Sequence, residues 1–491
     1  MEGSLAARFG GGRAHETNRW LVLVLVCIAQ FMVILDATIV NVALPSVQRG
    51  LHFTPSGLQW IVNGYTLVFG GFLLLGGRAS DLFGRQRLFV AGIAVFTLAS
   101  LMNGLATSSG ILIAGRVVQG FGAALVSPAA LSIVTTTFAE GKERTQALGI
   151  WSAIAAGGGA VGLVLGGVLT ETLSWRWVFF INLPIGIAAA LLSLRFVPNS
   201  RAEDEPETAD VAGAVTVTAG LLVLVYAIVK AQAYGWGSGK TIGLFAAGVV
   251  LLAAFVAIER RSKAPLIKLG LLRLPSLAAG NLAMLFVASG LFSMFYFASL
   301  YLQEILHYSP IQGGLAFVPF TLGIVIGAGA AQQLIARFGI RAVMITGLVL
   351  GAIGLSLFTQ VTTHGSYLGG VFPGVMVASI GMGLAFVPLT LLATTNIATE
   401  DAGLASGLFN TSQQVGGALG LAILSTLATS RTGHLLADHV GAASAMTRGY
   451  HVAFGVGAVF LLAGIVVLLV TIREHHVRQI NAQPEEVAVP A

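Results

Sequence analysis

The sequence predicts an all-α integral membrane protein of fourteen transmembrane spans, arranged as two six-helix bundles plus two inserted helices, with the N- and C-termini cytoplasmic. Three observations predict it. Of 491 residues, 56% are hydrophobic and 9% are charged, with a mean hydropathy of +0.88. A soluble protein carries about a quarter of its residues charged, so this chain cannot cover a globular surface facing water. Apolar runs of bilayer length recur along the whole chain, and Lys and Arg concentrate on alternate loops. The same balance excludes a soluble enzyme, a disordered chain and a nucleic-acid binder, despite a pI near 9.7. Sixty-three glycines agree, because close helix packing in lipid favours small residues. The single cysteine, Cys27, lies in an apolar run, which excludes a disulfide framework and a cysteine-based metal site.

A helix needs about 20 mostly apolar residues to cross the hydrocarbon. Fourteen such runs lie near 20–43, 57–77, 88–107, 110–136, 147–170, 176–195, 212–232, 241–259, 277–302, 311–335, 341–360, 367–393, 403–428 and 452–472. The polar segment 1–19 carries Arg8, Arg13 and Arg19. The run after it, Trp20 to Ala43, is too long for a signal-peptide core and reads as a retained first span. The seventh run, ending in Lys230-Ala-Gln232, and the thirteenth, with Asn410, Gln413 and Gln414, give the weakest apolar signal.

Cationic residues favour cytoplasmic loops. With the N-terminus in the cytoplasm, nineteen Lys and Arg fall on that side and one, Arg116, falls within a span. Six fall opposite: Arg49, Arg176, Lys230, Lys240, Arg431 and Arg448. The bias demands an even span count and explains the net charge of +6 without nucleic acid, so most loop arginines read as topological. The chain divides into a tail (1–19), an N-terminal bundle (20–197), a connecting region (198–274), a C-terminal bundle (275–472) and a second tail (473–491). The connecting region holds an acidic linker at 198–210, spans 7 and 8, and a basic loop. Residues 429–451 read as an outer loop, whose His434, Asp438, His439 and His451 match no metal-ligand spacing.

Transporters are often built from repeated halves. Phe83-Gly84-Arg85-Gln86-Arg87 after span 2 is echoed by Phe338-Gly339-Ile340-Arg341 after span 10, an offset of 255. Gly120-Phe-Gly122 through Pro128 in span 4 is echoed by Gly381-Met-Gly383 through Pro388 in span 12, offset by 260 or 261. The nearly constant offset pairs spans 1–6 with 9–14 and leaves 7 and 8 as an insertion.

An ionisable residue inside a span is costly and so a functional candidate. Of the 20 acidic residues only Asp36 falls clearly inside one; Glu304, near the outer end of span 9, reads as interfacial. At 1.5 Å per residue, Asp36 lies about 10 Å and Arg116 about 9 Å in from the outer ends of spans 1 and 4. These opposite charges at matched depth are expected to face a shared polar cavity. A carboxylate there can bind and release a proton, since burial favours its neutral form and a nearby cation its charged form; a static ion pair locking two helices is the alternative. Gln30 and Asn41 project together on span 1, roughly 120° from Asp36. With Asn63, Tyr65, Gln119, Asn410, Gln413 and Gln414 they are candidates to line a cavity, or to make single interhelical hydrogen bonds. In span 5, Gly158, Gly162 and Gly166 recur every four residues, with Gly157, Gly159 and Gly167 beside them. The stripe admits a close backbone, either as inert packing or as a sliding surface.

Four segments together resemble a known family. Leu35-Asp36-Ala-Thr-Ile-Val-Asn41-Val-Ala-Leu44-Pro45 is similar to the span 1 signature of the fourteen-span drug:proton antiporter branch of the major facilitator superfamily. Gly77-Arg-Ala-Ser-Asp81-Leu-Phe-Gly84-Arg85-Gln-Arg87 resembles the superfamily's loop motif, Arg116-Val-Val-Gln119-Gly120 its span 4 motif, and Trp175 through Pro184 its entry to span 6. The resemblance covers essentially the whole chain. It implies a major facilitator fold working by alternating access, with Asp36 in proton coupling, Arg116 in support, and Asp81, Gly84 and Arg85 in a cytoplasmic gate. The residues themselves read as a tight glycine turn flanked by topological arginines. Two positions depart from the pattern. Leu163 stands where the antiporter motif of span 5 has a proline, which weakens that motif's case for antiport over symport, and Ala336 leaves the second loop motif without its acid.

The function expected is export of a hydrophobic or amphipathic drug, antibiotic or endogenous metabolite in exchange for protons. A proton-coupled importer of a small organic solute is the nearest alternative. A channel or membrane-embedded enzyme is disfavoured, since no selectivity-filter, metal-cluster, nucleophile-elbow or phosphate-loop motif occurs. No cofactor is expected beyond the proton as coupling ion. The partners expected are the bilayer and small molecules, with no nucleic acid and a monomer as the working unit. Twenty-one arginines against five lysines point to a GC-rich bacterium and hence its cytoplasmic membrane.

Overall fold

The computed structural model of the protein describes residues 18–138, 141–198, 210–262, 265–268, 270–394, 397 and 402–472. Residues 1–17, the second tail, most of the acidic linker and Lys263 lie outside these residues. Among the described residues the chain forms fourteen long α-helices. The first six are α1 (Arg19–Leu51), α2 (Trp60–Phe83), α3 (Arg85–Gly104), α4 (Ser109–Thr137), α5 (Lys142–Thr172) and α6 (Asn182–Phe196). The next two are α7 (Val211–Tyr234) and α8 (Gly239–Glu259). The last six are α9 (Pro275–Leu300), α10 (Val318–Phe338), α11 (Ile340–Leu357), α12 (Phe372–Thr394), α13 (Ala402–Ala437) and α14 (Ala442–Thr471). Among the described residues, twelve helical stretches are long and apolar enough to cross a membrane. In α13 the run Asn410-Thr411-Ser412-Gln413-Gln414 interrupts the apolar sequence.

Helix starts follow local chemistry. Asn18, Ser108, Asp210 and Ser238 cap α1, α4, α7 and α8, each side chain accepting a backbone N–H that the first turn leaves unpaired. Gly84 and Gly339 stand at equivalent points of the two halves, at φ 99° and 80°. Both let the chain reverse at once from α2 into α3 and from α10 into α11, in backbone conformations that side chains resist. Gly84→Ala should therefore cost about 1–3 kcal/mol, seen as a lower unfolding temperature in detergent.

The expected outer loop 429–451 is a correction. α13 runs to Ala437 and α14 starts at Ala442, so the connection is residues 438–441 and His434 and His451 are helical. Polar sequence beyond the apolar run still closes its own backbone hydrogen bonds, and the alanines around Ala442 favour helix.

The packing repeats. In the first half α1 packs on α4, α5 and α6, α4 on α2 and α3, and α3 on α6. In the second half α9 packs on α12, α13 and α14, α12 on α10 and α11, and α11 on α14. The chain order of partners is identical, so 19–196 and 275–471 are two copies of one bundle plan. Glycines allow it at matching places. On α4, Gly120 and Gly122 meet the backbones of Tyr65 and Phe96; on α12, Gly381 and Gly383 meet those of Gly347 and Ile324.

α7 pairs with α8 and lies against α2 and α13, covering the seam between the bundles. α8 is the least buried of the twelve stretches. Large apolar side chains such as Leu98, Leu191, Val250 and Val470 point outward, as lipid-facing surfaces require. Along the seam the Thr411 hydroxyl donates to the Gly70 carbonyl at 3.2 Å. At the end where α1 terminates, termed distal, hydrogen bonds join the halves. Ser299 Oγ donates to Asn41 O (2.8 Å), Gln303 Nε2 to Val42 O (2.8 Å), and the Ile311 N–H to Glu171 Oε2 (2.9 Å).

Candidate functional site

Asp36 sits midway along α1, on the face that α4 and α6 cover. Arg116 lies two turns into α4, at the same level. Asp36 is fully buried and Arg116 is 1% exposed. Arg116 Nη1 pairs with Asp36 Oδ2, so the two charges that sequence depth placed together are in direct contact. Around them is a closed polar network. Gln119 Nε2 and Asn182 Nδ2 donate to Asp36 Oδ1 at 2.7 and 2.9 Å. Both amides also reach Ser100 Oγ, at 2.7 and 3.2 Å. Gln119 Oε1 accepts from Arg116 Nη1 (2.7 Å) and Asn103 Nδ2 (2.8 Å), while Arg116 Nε donates to Ile61 O (3.0 Å). The Tyr65 ring lies 4.2 Å from the guanidinium carbon, a cation–π contact that adds to holding the cation in place.

The chemistry follows from the donor count. Arg116, Gln119 and Asn182 all present N–H groups to Asp36, which suits an acceptor-only carboxylate. A carboxyl carrying a proton would offer one donor among these donors, so proton binding and this arrangement of α1, α3, α4 and α6 oppose each other. Burial without an ion partner is expensive; protonating Asp36 would strand Arg116 unless helices move. The network lies within the first bundle rather than beside an open cavity. Sequence reasoning missed Ser100, Asn103 and Asn182. Ser100 and Asn103 were legible as polar residues at i and i+3 in an apolar span, and Asn182 lay inside a quoted motif without a role.

The remaining candidates spread over several places. Gln119 belongs to the buried network and not to a cavity wall. Tyr65 is buried, its hydroxyl 3.5 Å from Val33 O. Asn63 is fully buried and its amide has no hydrogen-bond partner among the described residues. Gln30 is half-buried, and Asn41 turns its amide back to Ala37 O and Thr38 O. Asn410 is exposed and bonded to Ser406 O, Gln413 is half-buried, and the stem of Gln414 packs on Gly70 at the seam. In the loop motif, Arg85 Nη2 pairs with Asp81 Oδ1 at 3.2 Å, Arg87 is exposed, and Gly77 faces Pro128. The stripe on α5 divides. Gly158, Gly162 and Gly166 lie against Ile34, Thr38 and Ile39 of α1, whereas Gly167 lies against Pro310 of the other half.

Two copies of one six-helix plan, apolar outside and with a buried ion pair inside one copy, define a multi-pass membrane transporter. The sequence profile of the Major Facilitator Superfamily matches residues 26–421, and again 284–490. The chain belongs to that superfamily. It is 41% identical over 468 residues to the puromycin resistance protein pur8 of Streptomyces alboniger, covering 93% of this chain and 92% of that one. It is 43% identical over 456 residues to the cephamycin export protein CmcT of Amycolatopsis lactamdurans, covering 92% of each. Among solved structures, a mutant of the nucleoside transporter NupG superposes with a TM-score of 0.67 at 10% identity, over 93% of this chain and all of that one. At that identity the likeness concerns the fold.

Proposed function

We propose that this chain exports hydrophobic or amphipathic drugs, antibiotics or a related endogenous metabolite across a bacterial cytoplasmic membrane, in exchange for protons and by alternating access. The observation that carries the proton half is the Asp36–Arg116 pair with its ring of donors, an arrangement that proton binding would disrupt. The relatives, named for puromycin resistance and cephamycin export, support the drug half. An apolar cavity of about 190 Å³ at the seam, with Leu74, Val217, Leu221 and Phe255 in its wall, suits apolar molecules. In this reading all fourteen helices span the membrane, α5 and α13 completing the bundles, and the even number keeps both termini in the cytoplasm. The distal end is then the outer one, closed here by the bonds from α9 to α1 and from Ile311 to Glu171. Asp81, Gly84 and Arg85 form a turn at the cytoplasmic gate, and the protein works as a monomer without a cofactor.

Everted membrane vesicles test this. With their lumen acidified, vesicles carrying the protein should accumulate ethidium and puromycin, and a protonophore should abolish the accumulation. Loss of preloaded probe on acidification would mean symport, and uptake indifferent to the gradient would end the proton scheme.

A further inference from the structure

The mechanism above uses one carboxyl group, in the first bundle. A second carboxyl sits where the outer ends of the two bundles meet. α9 ends in a π-helical turn, Tyr301–Ile305, which carries Gln303 and Glu304 side by side. Such turns insert a residue into the helical spiral and often mark functional sites. Here adjacent residues serve different partners. Gln303 reaches across to Val42 O of α1, next to the Ser299–Asn41 bond. Glu304 turns instead into its own bundle, where it is half-buried and accepts from the Tyr450 hydroxyl of α14 at 3.2 Å. Tyr450 bonds to it, and Tyr296 of α9 and the Arg49 cation at the outer end of α1 act on it electrostatically. His451, next to Tyr450, is engaged by Val361 O at 2.7 Å. Beneath the carboxyl the packing is aromatic: Phe297 lies 5.6 Å from Tyr450 and 5.1 Å from Tyr296, ring to ring.

We propose that Glu304 is a proton-binding site of the second bundle, loaded from the outer medium, and that its protonation opens the outer closure. Charged, Glu304 accepts from Tyr450 and attracts Arg49 across the seam, which keeps the outer end of α1 against α9 and the Ser299 and Gln303 bonds made. When a proton from outside adds to a carboxylate oxygen, the attraction for Arg49 is lost, and the closure rests on the Ser299 and Gln303 bonds and on the Ile311 bond to Glu171. Proton binding and opening are then linked, each favouring the other. The inference rests on the exchange reading for its direction, because an exporter must open outward to shed substrate and take up protons.

A substrate-free measurement separates the two. Cys27 is the native cysteine and is replaced by Ser. Ala37 is exposed on α1, on the same side as Gln30 and Asn41, one turn below the closure. In right-side-out vesicles, Ala37→Cys should react with a membrane-impermeant maleimide added outside only when the outer end opens. Thr107→Cys, exposed in the α3–α4 connection, corrects for the slower thiol chemistry in acid. Expected is labelling that rises several-fold as the outer medium is acidified. It should be high and indifferent to pH in Glu304→Gln, and again acid-dependent in Glu304→Asp. Tyr450→Phe, which keeps the carboxyl, should shift the pH of half-maximal labelling, and it decides the matter should Glu304→Gln not fold. Acid-independent labelling in the parent, or an acid response unchanged in Glu304→Gln and Tyr450→Phe, would overturn the proposal. Absence of ethidium export alongside intact acid-dependent labelling would instead count against the exchange reading.

Discussion

Asp36→Asn should reduce gradient-driven export of ethidium and puromycin to the level of empty vesicles. Asparagine keeps the size of aspartate, so α1, α3, α4 and α6 can still pack. It removes the one counter-charge of a guanidinium that is 1% exposed, and it offers N–H groups where Arg116, Gln119 and Asn182 already offer theirs. Breaking a buried pair from one side costs about 3–5 kcal/mol, so the unfolding temperature should fall as well. The double change Asp36→Asn with Arg116→Gln separates the effects. Removing both charges should recover much of the lost stability and none of the transport. Full gradient-driven export by folded Asp36→Asn protein would show the pair to be a helix lock without a part in coupling.

The second large effect concerns the glycine stripe. A side chain at Gly166 would begin 2.7 Å from the Ile39 carbonyl of α1, and at Gly167 it would begin 2.5 Å from the Pro310 carbonyl of the opposite half. Neighbouring residues thus guard different contacts. Gly166→Leu presses apart two helices of one bundle. Overpacking of this kind costs about 1–3 kcal/mol or more, and both yield and thermal stability should drop. The three atoms nearest a Cβ at Gly167 all belong to Pro310 and Ile311 of the other half, so Gly167→Leu opposes closure of the outer end. Its fold should survive, with outer accessibility at Ala37→Cys raised at every pH. Gly157, which has open space where a Cβ would go, provides the control. Gly157→Ala should leave both readouts unchanged, with a gain of up to about 1 kcal/mol from helix propensity. If Gly166→Leu and Gly167→Leu behaved alike, the division of the stripe would be wrong.

Much of this was legible in the chain. The number and order of helices follow from apolar runs, because a backbone in lipid must satisfy its own hydrogen bonds. The halves showed in repeated Phe-Gly turns and in prolines 128 and 388. Depth alone brought Asp36 level with Arg116, since helical rise is fixed per residue. The partners from other helices were not legible. Ser100, Asn103 and Asn182 are ordinary polar residues until two helices, α3 and α6, bring them into the network around Asp36. Glu304 read as an interfacial acid because no local pattern encodes a π-turn or a tyrosine 146 positions away.

By itself, then, the sequence determined which stretches are helical and how deep their charges lie, properties set by neighbours along one strand of backbone. Only the tertiary structure decided which faces meet. It sealed Asp36 in a ring of donors, divided one glycine stripe between two contacts, and set Glu304 beside the outer closure. The physical reason is that rotation of a helix about its axis is fixed by packing against other helices, and that rotation chooses every side chain's partner.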